Sequence, residues 1–563
     1  MKKLRFLGIF GIFSIIFTLF ACEKDLLEPQ NQQISGKTDS LLYSIAEIDA
    51  IFAAKSYQLN WETERDAKLI YSIAMYTDSM VAVGYKPNGY GDLSSTIHQL
   101  DLNATDWTSV KQQIMTIVTT TEHREQADII SIPSPKIPAF VVKVRSLETI
   151  RQLAAMPEVR YLEPMNDYFF ERRGENELHT VGQQDKTGFL GCSCATPTAY
   201  TPDDAINVLP GVVLPWNYEY HHINEETWEI SSGAGVGVAV IDSGVSFDQE
   251  NLDSESGGTF NSGDSEGRWQ YEFSYLPYEL QPSLTPLLSP IIPGMVHSIS
   301  ILREHYNPDL TAHDRCGHGT RMAGIIAAPR GEDGNSVGVA YNCNLLNIRA
   351  VHNPIINTAA EKAAVIQSLT YYDPDIHIIS MSIGQPPGAV SPFIGDALDV
   401  AYGYGKMLIC AAGTSPVGTT VFSVLFPANH PTTIAITGIK EPASYPNALT
   451  NDDDPCKDCF YGEEVDFAVI MERSGEGNQN RNTLAVTCDG DMPSYSSGTS
   501  CATATFAGMA ALVWSKIDPT ATIEPTVIRE LVLAKLQGSS SNPSGNHDKF
   551  GFGWVDVQKA LED

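Results

Sequence analysis

The chain has 563 residues, more than one ordinary domain, and 43% of them are apolar, which is enough to form large buried cores. It contains 36 basic and 68 acidic residues, so its formal net charge at pH 7 is −32. A chain this acidic does not attract nucleic acid or anionic lipid through its overall charge, and we expect neither as a partner on that basis.

Residues 1–21 have the pattern of an export signal. Three basic residues among the first five precede an apolar run at residues 6–20, which is shorter than the ~20 residues that span a bilayer. The run ends in Leu19-Phe20-Ala21-Cys22, which resembles a bacterial lipoprotein signal. The resemblance implies that the protein is exported and that a lipid on Cys22 is its only membrane contact, at the outer membrane or the cell surface. The alternative is an ordinary signal peptide and a secreted protein.

Residues 22–65 begin with a polar stretch rich in Gln and Asn, which predicts a tether. Residues 66–170 then form a small predicted unit, with strand and helix patterns in the order βαββαβ that is typical of a ferredoxin-like α+β fold. The strand patterns lie at 78–85, 128–132, 139–145 and 158–163, and the helical patterns lie at 106–119 and 147–156. Residues 171–215 show no periodicity and are predicted to be a linker.

Strand and helix patterns alternate from residue 216 to residue 563. This alternation predicts an α/β fold, in which a parallel sheet has helices on both faces and ligands bind at the carboxyl ends of the strands. Two long additions, residues 253–312 and 441–494, are predicted to be loops. The strand patterns lie at 235–242, 345–351, 376–383, 406–412 and 432–439, and the helical patterns lie at 359–372, 392–404 and 526–536.

Three residues of this unit lie in patterns typical of nucleophilic catalysis. Asp242 ends a strand, His318 lies between two glycines before a helix of small residues, and Ser500 follows Gly498-Thr499 at the start of another. A helix N-terminus favours negative charge, and a serine hydroxyl becomes a nucleophile only beside a base such as histidine. Taken alone, Ser500 could equally be a helix cap.

The order Asp, His, Ser in these motifs resembles the subtilase family of serine proteases. The resemblance covers residues 216–563 and implies a subtilisin-like fold and a serine endopeptidase that acts on proteins or peptides without a cofactor. It makes Ser500 the nucleophile, His318 the base and Asp242 the residue that orients it. The alternative is a catalytically impaired, subtilase-like binding protein.

The resemblance also implies a substrate site and an oxyanion hole. Thr414 stands where the family normally has an Asn that donates to the oxyanion, so we expect a weaker donor there. Leu425 stands where Gly is common, which predicts a shortened pocket for the side chain before the scissile bond. The other implied substrate-binding residues are Ser382, Ile383 and Gly384 on one wall and Ala411, Ala412 and Gly413 on the other.

Two further features carry a resemblance to the family. Residues 139–144 followed by 157–163 resemble an inhibitory prodomain, which implies that residues 66–170 inhibit the peptidase and that the maturation site lies in residues 171–215. An accessory domain that stays attached is the alternative. Residues 334–339 resemble a calcium-binding loop. The implied structural calcium ligands are Asn335, Val337, Val339 and Asn251.

Cysteine usage is consistent with export. Nine cysteines remain besides Cys22, and two close pairs, Cys192 with Cys194 and Cys456 with Cys459, suggest disulfides. The connectivity stays open, and a zinc site built from the same pairs is the alternative.

Overall fold

A computed structural model describes residues 41–562, and predictions for residues 1–21 and for Cys22 lie outside this range. Within the range, the residues not described are 56–58, 126–129, 134–135, 167–191, 193, 195–199, 209, 254–258, 261–267, 275–312, 372, 387, 416–422, 444, 448, 451, 476–480, 491, 521 and 546. In the part that is described, no helix is long and apolar enough to cross a membrane.

The first folded unit, here the amino-terminal domain, contains a four-stranded antiparallel sheet in the order β2-β3-β1-β4. The predicted order βαββαβ is confirmed. The strands are β1 Met80–Tyr85, β2 Ile130–Pro133, β3 Ala139–Lys143 and β4 Val159–Pro164. The helices are Ile45–Ala54, Ala67–Tyr76, Thr105–Glu122 and Leu147–Ala155.

Part of the predicted tether is instead a helix of this domain. Ser44 and Glu47 form a reciprocal capping box at the start of Ile45–Ala54. Ile48 and Phe52 are buried on the helix and pack against Leu69 and its neighbours. These apolar residues, spaced four apart, give the helix one face to bury, and this holds the segment on the domain.

The second unit is built around a seven-stranded parallel sheet in the order β13-β12-β11-β10-β7-β9-β8. The predicted α/β architecture is confirmed. The strands of the sheet are β7 Gly237–Asp242, β8 Gln270–Ser274, β9 Asn344–Arg349, β10 Ile376–Met381, β11 Met407–Ala411, β12 Ile434–Lys440 and β13 Phe467–Glu472. Smaller strands are β5 Ala205–Val208, β6 Val212–Pro215, β14 Thr483–Ala485 and β15 Ser494–Ser496.

Helices cover both faces of this sheet because its strands are apolar on both sides. In β7, Val238 and Val240 face the core shared with helices His318–Ala327 and Thr499–Ile517. Ala239 faces the opposite core, which contains helices Ala359–Thr370 and Pro392–Gly403 and the amino-terminal domain. The remaining helices are Glu225–Ile230, Pro525–Gly538 and Val557–Leu561.

The two additions predicted as loops contribute the edge strands of the sheet. β8 comes from the 253–312 addition and β13 from the 441–494 addition. The sequence Phe-Ala-Val-Ile-Met-Glu of β13 is buried throughout, as expected for a strand that pairs with β12 and lies under helices.

The carboxyl-terminal part of the predicted linker is attached to the second unit. β5 and β6 form a hairpin, and buried Asp204 accepts hydrogen bonds from Arg473 at 3.1 Å and Arg481 at 2.6 Å. Two disulfides, Cys192–Cys316 and Cys194–Cys488, join the start of this segment to distant loops of the sheet domain. From Cys192 onward, the described residues of this segment are therefore part of the second unit.

Candidate active site

The candidate site lies at the carboxyl edge of the parallel sheet. β7 ends at Asp242, and its neighbour β10 ends at Met381 beside the end of β11 at Ala411. Parallel strands that are adjacent end at the same edge, so the loops that follow them meet there. Two helices begin at this edge, one at His318 and one at Thr499.

Asp242 and His318 form a buried pair. His318 Nδ1 lies 2.8 Å from Asp242 Oδ1, and the two residues are 4% and 0% exposed. The carboxylate can only accept, so Nδ1 carries the proton and Nε2 has a free lone pair. Gly319 allows this approach, because a β-carbon on it would lie 2.2 Å from the carbonyl oxygen of Gly244.

A second carboxylate, Asp314, lies under the His318 helix, and the sequence analysis did not identify it. It is 1% exposed and accepts five hydrogen bonds of 2.7–2.9 Å. The donors are the backbone N–H groups of Cys316, Gly317 and Thr320 and the hydroxyls of Ser243 and Thr320. An Asp a few residues before a helix is a typical capping signal, and this could have identified it.

Ser500 lies in the first turn of helix Thr499–Ile517, after Gly498, whose φ of 89° favours glycine. Its hydroxyl is directed to the carbonyl oxygen of Ser382 at 3.5 Å, and the Ser382 hydroxyl donates to the carbonyl oxygen of Ser500 at 3.0 Å. Ser500 and His318 are both described, and the structure has no hydrogen bond between them.

Thr414 adjoins the Ser500 turn from the end of β11. Its hydroxyl oxygen accepts a hydrogen bond from the Thr499 N–H at 3.0 Å and lies 3.1 Å from the Thr499 hydroxyl oxygen. The latter oxygen accepts a hydrogen bond from the Gly413 N–H at 3.1 Å. Thr414 is an exposed residue, and either hydroxyl of the Thr414–Thr499 pair can be the donor.

The backbone of Gly384, one of the predicted wall residues, is hydrogen-bonded to the segment that follows β9. The Gly384 N–H donates to Pro354 O at 3.0 Å, and Gly384 O accepts from the Ile356 N–H at 2.9 Å. Both backbone groups of Gly384 face the segment that contains Pro354 and Ile356, and both are hydrogen-bonded to it. The other predicted wall residues, Ser382, Ile383, Ala411, Ala412 and Gly413, line the ends of β10 and β11 beside Ser500.

The cysteines near the site are structural. Cys316 is disulfide-bonded two residues before His318, and Cys456–Cys459 is a third disulfide, so the cysteine pairs that could have bound zinc are oxidised. Burial raises the pKa of the Cys501 thiol to about 11, and its Sγ donates to Ser496 Oγ at 3.0 Å. A neutral, buried thiol of this kind is not a nucleophile.

Two carbonyl groups of the predicted calcium loop already accept hydrogen bonds. Val337 O accepts from the Tyr218 hydroxyl at 3.3 Å, and Val339 O accepts from Trp228 Nε1 at 2.9 Å. A carbonyl oxygen has two lone pairs, so these bonds occupy one acceptor position on each oxygen.

The two predicted amide ligands of calcium are also engaged. The Asn335 amide nitrogen donates to Gly490 O at 3.2 Å, and Asn251 Oδ1 accepts from the Thr259 hydroxyl at 2.6 Å. Among the described residues, no group of three or more His, Cys, Asp or Glu side chains could hold a metal. Each of the four predicted ligands thus has a hydrogen-bond partner in this structure, and calcium at this loop stays a prediction.

Comparison with known proteins shows the family of the chain. The profile of the subtilase family matches residues 233–554, which is more than half of the chain. Subtilisin E of Bacillus subtilis is 25% identical over 335 residues, which cover 59% of this chain and 67% of that protein. Thermitase of Thermoactinomyces vulgaris is 23% identical over 340 residues, which cover 60% of this chain and 92% of that protein.

A solved structure shares the fold. Fervidolysin from Fervidobacterium pennivorans, described as a keratinolytic enzyme related to subtilisin, matches with a TM-score of 0.51 at 18% identity. The match covers 86% of this chain and 61% of that one. The chain belongs to the subtilase family, and it is a serine endopeptidase.

Proposed function

We propose that this chain is an exported endopeptidase that hydrolyses peptide bonds through an acyl-enzyme on Ser500, and that its amino-terminal domain is an inhibitory prodomain. The observation that carries the catalytic part is the buried Asp242–His318 pair at the sheet edge where the Ser500 helix begins. Nothing in the reaction requires a cofactor, because the three side chains supply the nucleophile, the base and the orienting carboxylate.

The proton on Nδ1 of His318 determines which ring nitrogen acts as the base. Because Asp242 holds that proton, Nε2 of His318 is free to take the proton of Ser500 as its oxygen attacks the substrate carbonyl carbon. The imidazolium, stabilised by the Asp242 carboxylate, then gives the proton to the leaving amine, and the acyl-enzyme forms. Water, deprotonated by the same nitrogen, releases the acid and restores Ser500.

The negative charge of the tetrahedral intermediate needs hydrogen-bond donors. The backbone N–H of Ser500, in the first turn of its helix, supplies one side of the oxyanion hole. The hydroxyl of Thr414, an exposed residue, is the proposed second donor. It is shorter than an amide side chain, so we expect a functional but slow enzyme.

The triad is tested by hydrolysis of one peptide substrate by purified wild type, Ser500→Ala, His318→Ala and Asp242→Asn. We expect each variant to lose most of the rate, and the double variant Ser500→Ala/His318→Ala to be no slower than Ser500→Ala, because the residues act as a unit. Rates that multiply independently, or a Ser500→Ala variant as fast as wild type, would contradict the triad. A folded wild type without activity would favour the alternative, a subtilase-like binding protein.

The prodomain part of the proposal rests on how β4 packs against the peptidase. Glu163 is fully buried and accepts from Lys362 Nζ at 2.6 Å, the Ser391 hydroxyl at 2.9 Å and the Phe393 N–H at 3.2 Å. Its carboxylate thus lies at the N-terminus of helix Pro392–Gly403, where the dipole favours negative charge.

A second charged contact lies on the same strand. Arg160 donates two hydrogen bonds of 2.8 Å to the Asp396 carboxylate, and the Tyr161 hydroxyl donates a third. The bidentate Arg160–Asp396 pair, the buried Glu163–Lys362 pair and the shared apolar core make this a specific interface, as an intramolecular inhibitor requires.

The proposed processing region lies between the last described contact of the amino-terminal domain and the first disulfide of the peptidase. The domain's last described contact is Asn166, whose side-chain oxygen accepts from the Ala359 N–H, and Cys192 is the first residue disulfide-bonded to the peptidase. We place the cleavage between them, so the catalytic chain would have 372–397 residues.

Intact mass spectrometry tests self-processing. Wild type should yield a catalytic chain in this size range, whereas Ser500→Ala should stay full-length after signal removal. Cleavage of the alanine variant at the same bond in a protease-free host would show that another enzyme performs the processing.

Export and the lipid anchor are proposed from residues 1–22 alone. Metabolic labelling with a radioactive fatty acid should mark the wild-type protein and leave Cys22→Ser unmarked. Equal labelling of both forms would exclude Cys22 as the acceptor.

A further inference from the structure

The segments that follow β10 and β11 both contact the turn that contains Ser500, and we call the space between these two segments the crevice. On the β10 side, Ser382 exchanges hydrogen bonds with Ser500, and on the β11 side, Thr414 accepts from the Thr499 N–H. Gly384 lies two residues after Ser382 on one wall, and Gly413 directly precedes Thr414 on the other wall. A substrate side chain next to the attacked carbonyl would enter between these two glycines.

Leu425 occupies the space between the two glycines. A β-carbon on Gly413 would lie 2.8 Å from Leu425 Cγ, and one on Gly384 would lie 3.6 Å from Leu425 Cδ1. The Leu425 backbone is fixed, because its N–H donates to Ala412 O at 2.9 Å. Its side chain therefore occupies the crevice between Gly384 and Gly413.

Phe460, from the 441–494 addition, lies against the same wall. The β-carbon on Gly413 would also lie 2.8 Å from Phe460 Cδ2, so the aromatic ring and Leu425 adjoin the same face of Gly413. The Phe460 side chain is buried, with 3% of its surface exposed.

The backbone around Phe460 is held against the crevice wall. The Phe460 N–H donates to Gly413 O at 2.9 Å, and the Ser415 N–H donates to Asp458 O at 2.8 Å. Thr414 and Cys459 form an antiparallel bridge between these two bonds, and Cys459 is disulfide-bonded. These backbone hydrogen bonds hold Phe460 beside Gly413, so its ring stays next to the crevice when a substrate binds.

We propose that Phe460 is a specificity-determining residue that closes this crevice together with Leu425, so that the enzyme cleaves after small side chains such as Ala, Ser and Gly. The inference rests on the proposed function, because the crevice selects substrates only if Ser500 is the nucleophile. Long or aromatic side chains would have to displace a leucine and a fixed aromatic ring, which costs more than the contact returns.

The test uses matched peptides that differ only in the residue before the scissile bond, with Ala, Leu or Phe at that position. Wild type should have the highest kcat/KM for Ala. Phe460→Ala and Leu425→Gly should each raise the Phe-to-Ala ratio of kcat/KM by at least about tenfold, the order that a pocket gains per added group. Tyr461→Ala is the control, because its ring packs towards Phe550 and should leave the ratio unchanged.

Labelling of the same preparations with a fluorophosphonate probe distinguishes failure of this inference from failure of the proposed function. Wild type that reacts at Ser500 but prefers Phe over Ala would overturn this inference and leave the proposed function standing. Wild type that does not react would overturn the proposed function itself. An unchanged Phe-to-Ala ratio in folded Phe460→Ala would overturn the role of Phe460, and Phe460→Leu takes its place if the alanine variant does not fold.

Discussion

The hydroxyl of Ser243 donates to the carboxylate of Asp314 at 2.9 Å, and the same oxygen accepts from the Gly319 N–H at 3.0 Å. Ser243 follows Asp242, and Gly319 follows His318. The Ser243–Asp314 bond thus joins the loop of the candidate orienting carboxylate to the helix of the candidate base. All of these groups are buried, so the distance between Asp242 and His318 is set by a network rather than by one contact.

Asp314→Asn should lower kcat roughly 10- to 100-fold with little change in KM. An amide at this position turns an N–H towards donors that the carboxylate accepts, and a small shift of His318 is costly for proton transfer. Steady-state kinetics on a small-residue peptide measure both constants. Asp452→Asn, at an exposed position, is the matched control and should match wild type. An increase in KM at constant kcat would show that Asp314 does not act through His318.

The Thr414 hydroxyl accepts from the Thr499 N–H and is the proposed oxyanion donor, and a substitution series tests the proposed role. Thr414→Ser keeps the hydroxyl, and its kcat should stay near that of wild type. Thr414→Val removes both the acceptor for Thr499 and the oxyanion donor, so kcat should fall by about 10²–10³ if the donor is used.

The same series extends to Thr414→Asn. An amide offers an oxygen to the Thr499 N–H and an N–H to the oxyanion, so kcat should rise with little change in KM. Equal kcat values for Thr and Val would mean that the hydroxyl contributes nothing, and a donor from another loop would have to be sought.

Glu163→Gln should weaken the attachment of the amino-terminal domain. The change leaves the buried Lys362 ammonium, 5% exposed at the side chain, without its carboxylate, a loss of typically about 3–5 kcal/mol. After processing, the separated domain should elute apart from the peptidase in size-exclusion chromatography, whereas the wild-type pair should co-elute. Glu148→Gln, on the exposed side of the domain, is the control.

Adding Lys362→Met to Glu163→Gln should restore part of the co-elution, because no unpaired charge then remains. Co-elution of Glu163→Gln that equals wild type would show that the ion pair does not hold the interface.

Asp399, in helix Pro392–Gly403, should make the folded chain less stable as pH rises. Burial, with smaller contributions from Asp396 and Asp92, raises the pKa of its carboxyl from 3.8 to about 7. The folded state thus holds a proton that the unfolded state has lost, so this group's effect on stability declines between about pH 4 and pH 7 by up to about 1.4 kcal/mol per pH unit.

Asp399→Asn should therefore raise Tm by a few degrees at pH 8 and have little effect at pH 4. The variant must be compared with wild type at each pH, because burial lowers the pKa of the nearby His430 to about 4 and gives the opposite slope. A stabilisation that is the same at both pH values would contradict the shifted carboxyl.

The sequence alone was sufficient for features that depend on local patterns. The buried runs of the central strands predict the parallel sheet, and the strand-end Asp242 and the small-residue helices after His318 and Ser500 mark the candidate triad. In each case a few adjacent residues carry the signal, through strand burial or helix packing.

Features that depend on distant contacts could not be predicted. Asp314 is meaningful only because the fold brings Ser243 to it, and Phe460 matters only because its loop pairs with Gly413. The calcium site stays a prediction, and it too depends on distant contacts. The loop sequence is suitable, but Tyr218 and Trp228 donate to its carbonyl groups from elsewhere in the chain.

The central claim is that Ser500 is a nucleophile activated by His318. Its most direct test is the rate of fluorophosphonate labelling, with the adduct mapped by peptide mass spectrometry. The account predicts one adduct, on Ser500, that is lost in Ser500→Ala and forms far more slowly in His318→Ala. An adduct on another residue, or equal rates for wild type and His318→Ala, would contradict it.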